Sequence, residues 1–160
     1  MQSGDMDRAL ASAAGKMLPV GPHRVRVVYR EAGSPYSLIE WIAPPAVPGP
    51  PLHVHRVTDE GFYVVEGAVG FQVGDETIEG SPGEFVFIPR GQKHTFWNEG
   101  PPPARVLGML SPPGFESYFE ALREGLAAAG TSQGHAMRVR QRLSETYDIE
   151  VVGPPRQAEG

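Results

Sequence analysis

His53-Val54-His55 sets two imidazoles two residues apart. On an extended strand, residues i and i+2 project from one face, so both rings point the same way. A carboxylate follows at Glu60 and a third imidazole at His94. The interval from His55 to Glu60 is odd, so regular alternation would place the two on opposite faces. A turn or bulge within Arg56–Asp59 is needed to bring Glu60 round to the imidazole pair. His94 stands just after Pro89-Arg90-Gly91, a turn sequence that leads the chain into His94–Asn98. If the two segments pair across one barrel, His53, His55, Glu60 and His94 converge on one point. Imidazole suits Fe, Ni, Cu, Zn and Mn to differing degrees, and the carboxylate adds a negative charge. Such a ligand set leaves positions open for substrate, water or oxygen, as in a catalytic rather than a closed structural metal site.

Those residues lie in a stretch that reads as all-β. Short runs rich in β-branched and aromatic residues fall at His23–Glu31, Tyr36–Ile42, Gly61–Glu66, Ala68–Val73, Glu84–Ile88, His94–Asn98 and Ala104–Leu110. Gly and Pro break them at Gly33-Ser34-Pro35, Gly74-Asp75, Gly80–Gly83 and Gly100–Pro103, where positive or preset φ makes turns. Many short strands at close spacing predict a sandwich, jelly roll or barrel. Pro44–Pro51 holds five prolines in eight residues, a stiff extended loop leading into the histidine pair. It reads equally as a surface connector or as the rim of a pocket.

Beyond Pro113 the period changes. Phe115, Tyr118, Phe119, Leu122 and Leu126 make one apolar stripe at helical spacing, with Gly130 as a stop. A second helix is expected from about His135 to Tyr147, with Met137, Leu143 and Tyr147 inward. Residues 1–22 are expected to be an arm or short helix, 23–111 the barrel, and 112–160 a helical extension and tail. His23 and His135 read as ordinary core or surface histidines, and Arg138, Arg140 and Arg142 as a solvated helix face.

The segment PLHVHRVTDEGFYVVEG resembles the first cupin motif, an H-x-H pair followed by Glu60 and then Gly67. GEFVFIPRGQKHTFWN resembles the second, with Gly83, Pro89, Gly91, His94 and Asn98 at its named positions. One position departs: Val47 stands where the first motif has its leading glycine, with Gly49 nearby. The resemblance implies a double-stranded β-helix, a jelly-roll cupin barrel with C-terminal helices. It also implies that His53, His55, Glu60 and His94 hold one divalent transition metal ion (Fe, Mn, Ni, Co or Zn). Ser111–Glu116 and Tyr147–Pro155 further resemble small single-domain quercetinase-like cupins. That likeness implies a metal-dependent oxygenase, in the manner of a quercetin 2,3-dioxygenase, with Glu60 doubling as catalytic base. A metal-dependent cyclase, isomerase or decarboxylase, or a non-catalytic binder, are the alternatives. Residues sharing the inner face, Phe62, Val64, Phe71, Val73, Phe96 and Asn98, are expected to line a pocket for a small hydrophobic or aromatic molecule.

Composition narrows the classes. The 160 residues suit one domain, carry a formal charge of −5, and contain no cysteine, so thiolate ligands, disulfides and cysteine nucleophiles are excluded. No basic stripe suits a nucleic-acid backbone, and no run reaches the length of a membrane span. The first residues lack the pattern of a secretory leader, and the cytoplasm is the expected compartment. A homodimer is expected, because barrels of this kind leave apolar outer faces and sheet edges to cover.

Overall fold

The computed structural model describes residues 15–129 and 132–158. Its strands are β1 (Leu18–Val20), β2 (His23–Tyr29), β3 (Ser37–Ala43), β4 (Pro51–Val54), β5 (Asp59–Glu66) and β6 (Val69–Val73). They continue with β7 (Glu76–Gly80), β8 (Phe85–Ile88), β9 (His94–Asn98), β10 (Ala104–Ser111) and β11 (Glu150–Pro155). Helices α1 (Ser117–Ala129) and α2 (Gln133–Leu143) lie between β10 and β11. The strands form two antiparallel sheets, in the orders β1-β2-β3-β10-β5-β8 and β11-β4-β9-β6-β7. This is the expected jelly roll with C-terminal helices.

Alternation explains the strands that the sequence discloses. In β10 every second residue from Ala104 to Leu110 is buried, and its neighbours on either side are β3 and β5. The inner faces meet in an aromatic core, with Phe62, Phe71 and Phe96 mutually in contact and Trp41 edge-on to Phe96. All five residues of β9 are buried, because its outer face is covered too. There Thr95 donates to the Pro50 carbonyl, and the Arg156 guanidinium lies over the Trp97 ring, 4.7 Å from its centroid.

Three features differ from the sequence expectations. The sheets extend beyond 23–111 at both ends: β1 pairs with β2, and β11 pairs with β4. β11 comes from the segment expected to be a tail, so its chain returns to flank the strand carrying His53. β7 was not expected either; four of its five residues are exposed at a sheet edge, leaving no apolar alternation to read. In α2, Val139 and Leu143 face the core, whereas Met137 is 42% exposed. Met137 lies two residues from Val139, roughly 200° round a helix, and so points the opposite way. Residues 15–17 are not helical and Leu18–Val20 form β1; residues 1–14 of the expected N-terminal arm, and Gly130, lie outside the described residues.

Candidate metal centre

The two motifs are joined by specific bonds. β4 and β9 pair through His53 and His94 themselves. The Gly91 N–H donates to the His55 carbonyl at 2.7 Å. Gly91 has φ +84°, a conformation that glycine adopts without strain. Arg90 clasps Asp59 through its backbone N–H at 2.8 Å, its Nε at 3.0 Å and a terminal nitrogen at 2.6 Å. That clasp pulls the Asp59 carboxyl down to about 2.

The register problem between His55 and Glu60 is solved by a turn at Arg56–Thr58, held from a distance. The Asp148 carboxylate accepts the N–H groups of Arg56, Val57 and Thr58 at 2.7, 3.0 and 2.8 Å. The chain then enters β5 with Glu60 facing inward, opposite Ile88 on β8.

His53, His55, Glu60 and His94 are all buried, with one potential ligand atom from each lying within 4.8 Å of the others. Donors about 2.1 Å from a shared ion sit at most about 4.2 Å apart, so the farthest pair must draw in by about half an ångström. Each imidazole is oriented by a backbone carbonyl at Nδ1: Pro51 for His53 at 2.7 Å, Gln92 for His94 at 2.9 Å, and Asp148 for His55. A carbonyl can only accept, so Nδ1 carries the proton and Nε2 is the atom turned to the cluster. This is the carbonyl-buttressed arrangement of metal-ligating histidines. Among the described residues the buried His55 Nε2 has no hydrogen-bond partner, a costly condition that a bound cation removes. Glu60 Oε2 lies 2.7 Å from His94 Nε2 and 3.5 Å from His55 Nε2. The donor set therefore fits a divalent ion.

Electrostatics agree with that fit. Burial, reinforced by the neighbouring imidazoles, holds His53 well below its usual range and so neutral. Burial pushes the Glu60 carboxyl up, but the surrounding histidines outweigh it and bring it down to about 2. For His94 burial is outweighed by the Glu60 carboxylate, and its pKa is raised.

A cavity opens onto the cluster. His53 and Glu60 line it, together with Phe62, Phe96 and the helix aromatics Phe115, Tyr118 and Phe119. Phe115 also lies edge-on to His55, with ring centroids 4.4 Å apart. Of the expected pocket residues, Phe62 and Phe96 are therefore at the cavity wall. Val64, Phe71, Val73 and Asn98 are not. Val64 and Phe71 are fully buried in packed core, and Val73 packs against it. The inner face that alternation defines runs the whole length of the barrel, but only part of that length is hollow. Asn98 donates to the Ala43 and Pro102 carbonyls and accepts the Gly100 N–H, which fixes the turn after β9. Of the two readings of the proline loop, the structure favours the pocket rim: Pro50 and Pro51 line the cavity, and the Gly49 N–H donates to the Arg156 carbonyl. His23, read as an ordinary histidine, Tyr118, read as helix packing, Arg140, read as solvated, and Trp41, not singled out at all, line the same cavity. Arg140 is half-buried while Arg138 and Arg142 are exposed, so only those two behave as the expected solvated face.

A jelly roll with a buried three-histidine, one-glutamate cluster at the mouth of an aromatic cavity defines a class of barrel built to present a candidate metal centre. Residues 40–110, which include both motifs, match the family described as Cupin domain. It is similar to the tetracenomycin polyketide synthase protein TcmJ of Streptomyces glaucescens, 37% identical over 60 residues, 38% of this chain and 40% of that one. It is also similar to oxidoreductase iacF of Pestalotiopsis fici, 42% identical over 50 residues, 31% of this chain and 24% of that one. The matched stretch thus spans less than half the length of either curated relative. Among solved structures, KdgF from a Halomonas species superposes with a TM-score of 0.56 at 23% identity, covering 64% of this chain and 90% of that one. That likeness concerns the fold. No helix among the described residues is long and apolar enough to cross a membrane.

Proposed function

We propose that the protein is a metal-dependent enzyme acting on a small, hydrophobic, hydroxylated aromatic molecule, with a quercetinase-like oxygenase as the leading reading. The observation that carries it is that His53 and Glu60 belong at once to the four-donor cluster and to the wall of an aromatic cavity. His53, His55, Glu60 and His94 would hold the ion, which supplies Lewis acidity at a substrate oxygen and, if redox-active, a path for electrons to dioxygen. The chain's own part follows from its geometry. Glu60, ionised and buried, would accept the proton of the substrate hydroxyl at its carboxylate oxygen. Phe62, Phe96 and Phe115 would hold the ring by apolar contact and keep water from the reacting end.

A second reading keeps the same site but consumes no oxygen: a cyclase, isomerase or decarboxylase with the ion as Lewis acid only. The likeness to a protein named for polyketide synthesis supports it. Elemental analysis of the purified protein, followed by oxygen-electrode and substrate-loss measurements with a panel of hydroxylated aromatics, decides between them. Substrate loss with oxygen uptake supports the oxygenase. Loss without uptake supports the second reading. Binding without loss in a metal-loaded preparation overturns both and leaves a non-catalytic binder. The proposed assembly is a homodimer, supported by Tyr63, Phe85 and Phe87, exposed aromatics clustered on the edge pair β5 and β8. A monomeric mass by light scattering would remove it.

A further inference from the structure

The cavity contains polar groups that the metal cluster does not use. His23, at the start of β2, is 6% exposed, and its Nε2 lies 2.9 Å from the Pro48 carbonyl. Because a carbonyl only accepts, Nε2 carries the ring proton. Burial, helped by the nearby Arg140 cation, holds the imidazole down to about 4, so the ring is neutral near pH 7. Nδ1 is then a bare acceptor, and it has no hydrogen-bond partner among the described residues. Trp41 stacks against this ring at a centroid distance of 4.9 Å, tilted by 43°. Its Nε1–H is likewise buried and, among the described residues, without a partner. Buried donors and acceptors left unpaired are uncommon, and each costs free energy until something satisfies it. Here a free acceptor and a free donor belong to adjacent side chains lining one cavity. Arg140 reaches the same cavity from α2, and among the described residues no carboxylate forms an ion pair with it.

The strand registers separate this trio from the metal cluster. Glu60 is level with Leu110 on β10, and Leu110 with Ser37 on β3. Trp41 is four residues further along β3, which is roughly 13 Å of strand. A ligand engaging both ends is therefore extended, and the aromatic wall between them, Phe62, Phe96 and Phe119, suits a flat one.

We infer that His23, Trp41 and Arg140 form a polar recognition subsite for the end of a fused-ring aromatic ligand remote from the metal. His23 Nδ1 accepts a ligand hydroxyl proton, Trp41 Nε1–H donates to a ligand oxygen, and Arg140 pairs with an ionised oxygen such as a carboxylate. This inference rests on the functional reading above and deepens it by naming the substrate class: a fused aromatic carrying a hydroxyl and an acidic oxygen at its far end. His23 and Trp41 are positioning and specificity residues, and no bond is made or broken there.

The test uses the full chain stripped of metal by a chelator, so that no ion can hold the probe and turnover is not read. Failure here thus leaves the metal-enzyme reading standing. Binding of a hydroxynaphthoate, a naphthol and naphthalene is measured by calorimetry. The wild type is expected to bind them in that order of decreasing affinity. His23→Phe, which keeps a ring against Trp41, should weaken both hydroxylated probes roughly tenfold and leave naphthalene unchanged. Arg140→Gln should weaken the hydroxynaphthoate roughly ten- to hundredfold and spare the naphthol. Equal affinity of the wild type for all three probes, or no binding of any, would overturn the subsite. So would wild-type affinities in a folded His23→Phe protein. If His23→Phe does not fold, as judged by circular dichroism, Arg140→Gln decides, because its side chain sits on a half-exposed helix surface.

Discussion

Asp148→Ala is the perturbation that tests how the site is assembled. Asp148 lies some 90 residues from the turn it holds, yet its carboxylate takes three backbone N–H groups from Arg56–Thr58. Its carbonyl orients His55. Hydrogen bonds to a charged acceptor contribute about 1.5–3 kcal/mol each when well buried. Asp148 is partly exposed, so solvent screening reduces each to about 1 kcal/mol, or about 3 kcal/mol for the set. For a domain of this size that corresponds to a fall in Tm of about 6–12 °C, read by differential scanning calorimetry. The metal should suffer too, because a loosened turn frees both the Glu60 backbone and the His55 tautomer. A loss of about 10- to 100-fold in affinity is expected by competition with a chelating dye. Asp148→Asn keeps one acceptor oxygen and should lie between.

The pH dependence of this contact has a definite sign. Burial opposes ionisation of Asp148, but the bonds from Thr58, Arg56 and Val57 outweigh it and hold its carboxyl below the usual aspartate range. A carboxylate held below its unfolded pKa stabilises the fold above that value and ceases to do so as pH falls through the folded pKa. The difference between wild type and Asp148→Ala should therefore be full at neutral pH and shrink below about pH 4. An Ala variant with unchanged Tm and unchanged metal affinity at pH 7 would refute the account of how Glu60 reaches the histidines.

The other expectations are brief. His53→Ala and His94→Ala should each cut bound metal by roughly tenfold or more in elemental analysis while leaving a folded barrel; full occupancy in both would contradict the ligand set. Glu60→Gln should lower turnover by roughly 10²- to 10⁴-fold with a much smaller effect on Tm, and a wild-type rate would remove Glu60 as the base. Gly49→Ala should destabilise by about 1–3 kcal/mol in urea unfolding, because a Cβ there would stand 1.7 Å from the Phe96 carbonyl oxygen. An unchanged midpoint would mean that the proline loop is not seated on β9 as described.

Much of this molecule is written locally. Period-two burial in segments such as Ala104–Ser111, with Gly and Pro between them, is enough to read out most of the barrel strands. The helical stripe from Phe115 to Leu126 announces α1 in the same way. The donors were legible as well, because an imidazole keeps its chemistry wherever it stands and the spacing of two separated segments limits where each can go. The odd interval between His55 and Glu60 even revealed that a turn had to exist.

What held that turn was not legible. Asp148, the strand β11 that carries its segment back to β4, and the joining of His23, Trp41 and Arg140 in one cavity are all contacts between distant parts of the chain. Neither alternation nor composition encodes them, for local patterns record which face of an element is buried but not what lies against it. The same limit explains Val64, Phe71, Val73 and Asn98: their inward direction follows from the strand period, whereas packed core and open cavity differ only in how the opposite wall fills the space. Residue type and spacing thus determined the kind of chemistry available here. The meeting of two sheets, a returning tail and a helix determined where it is placed and what is offered beside it.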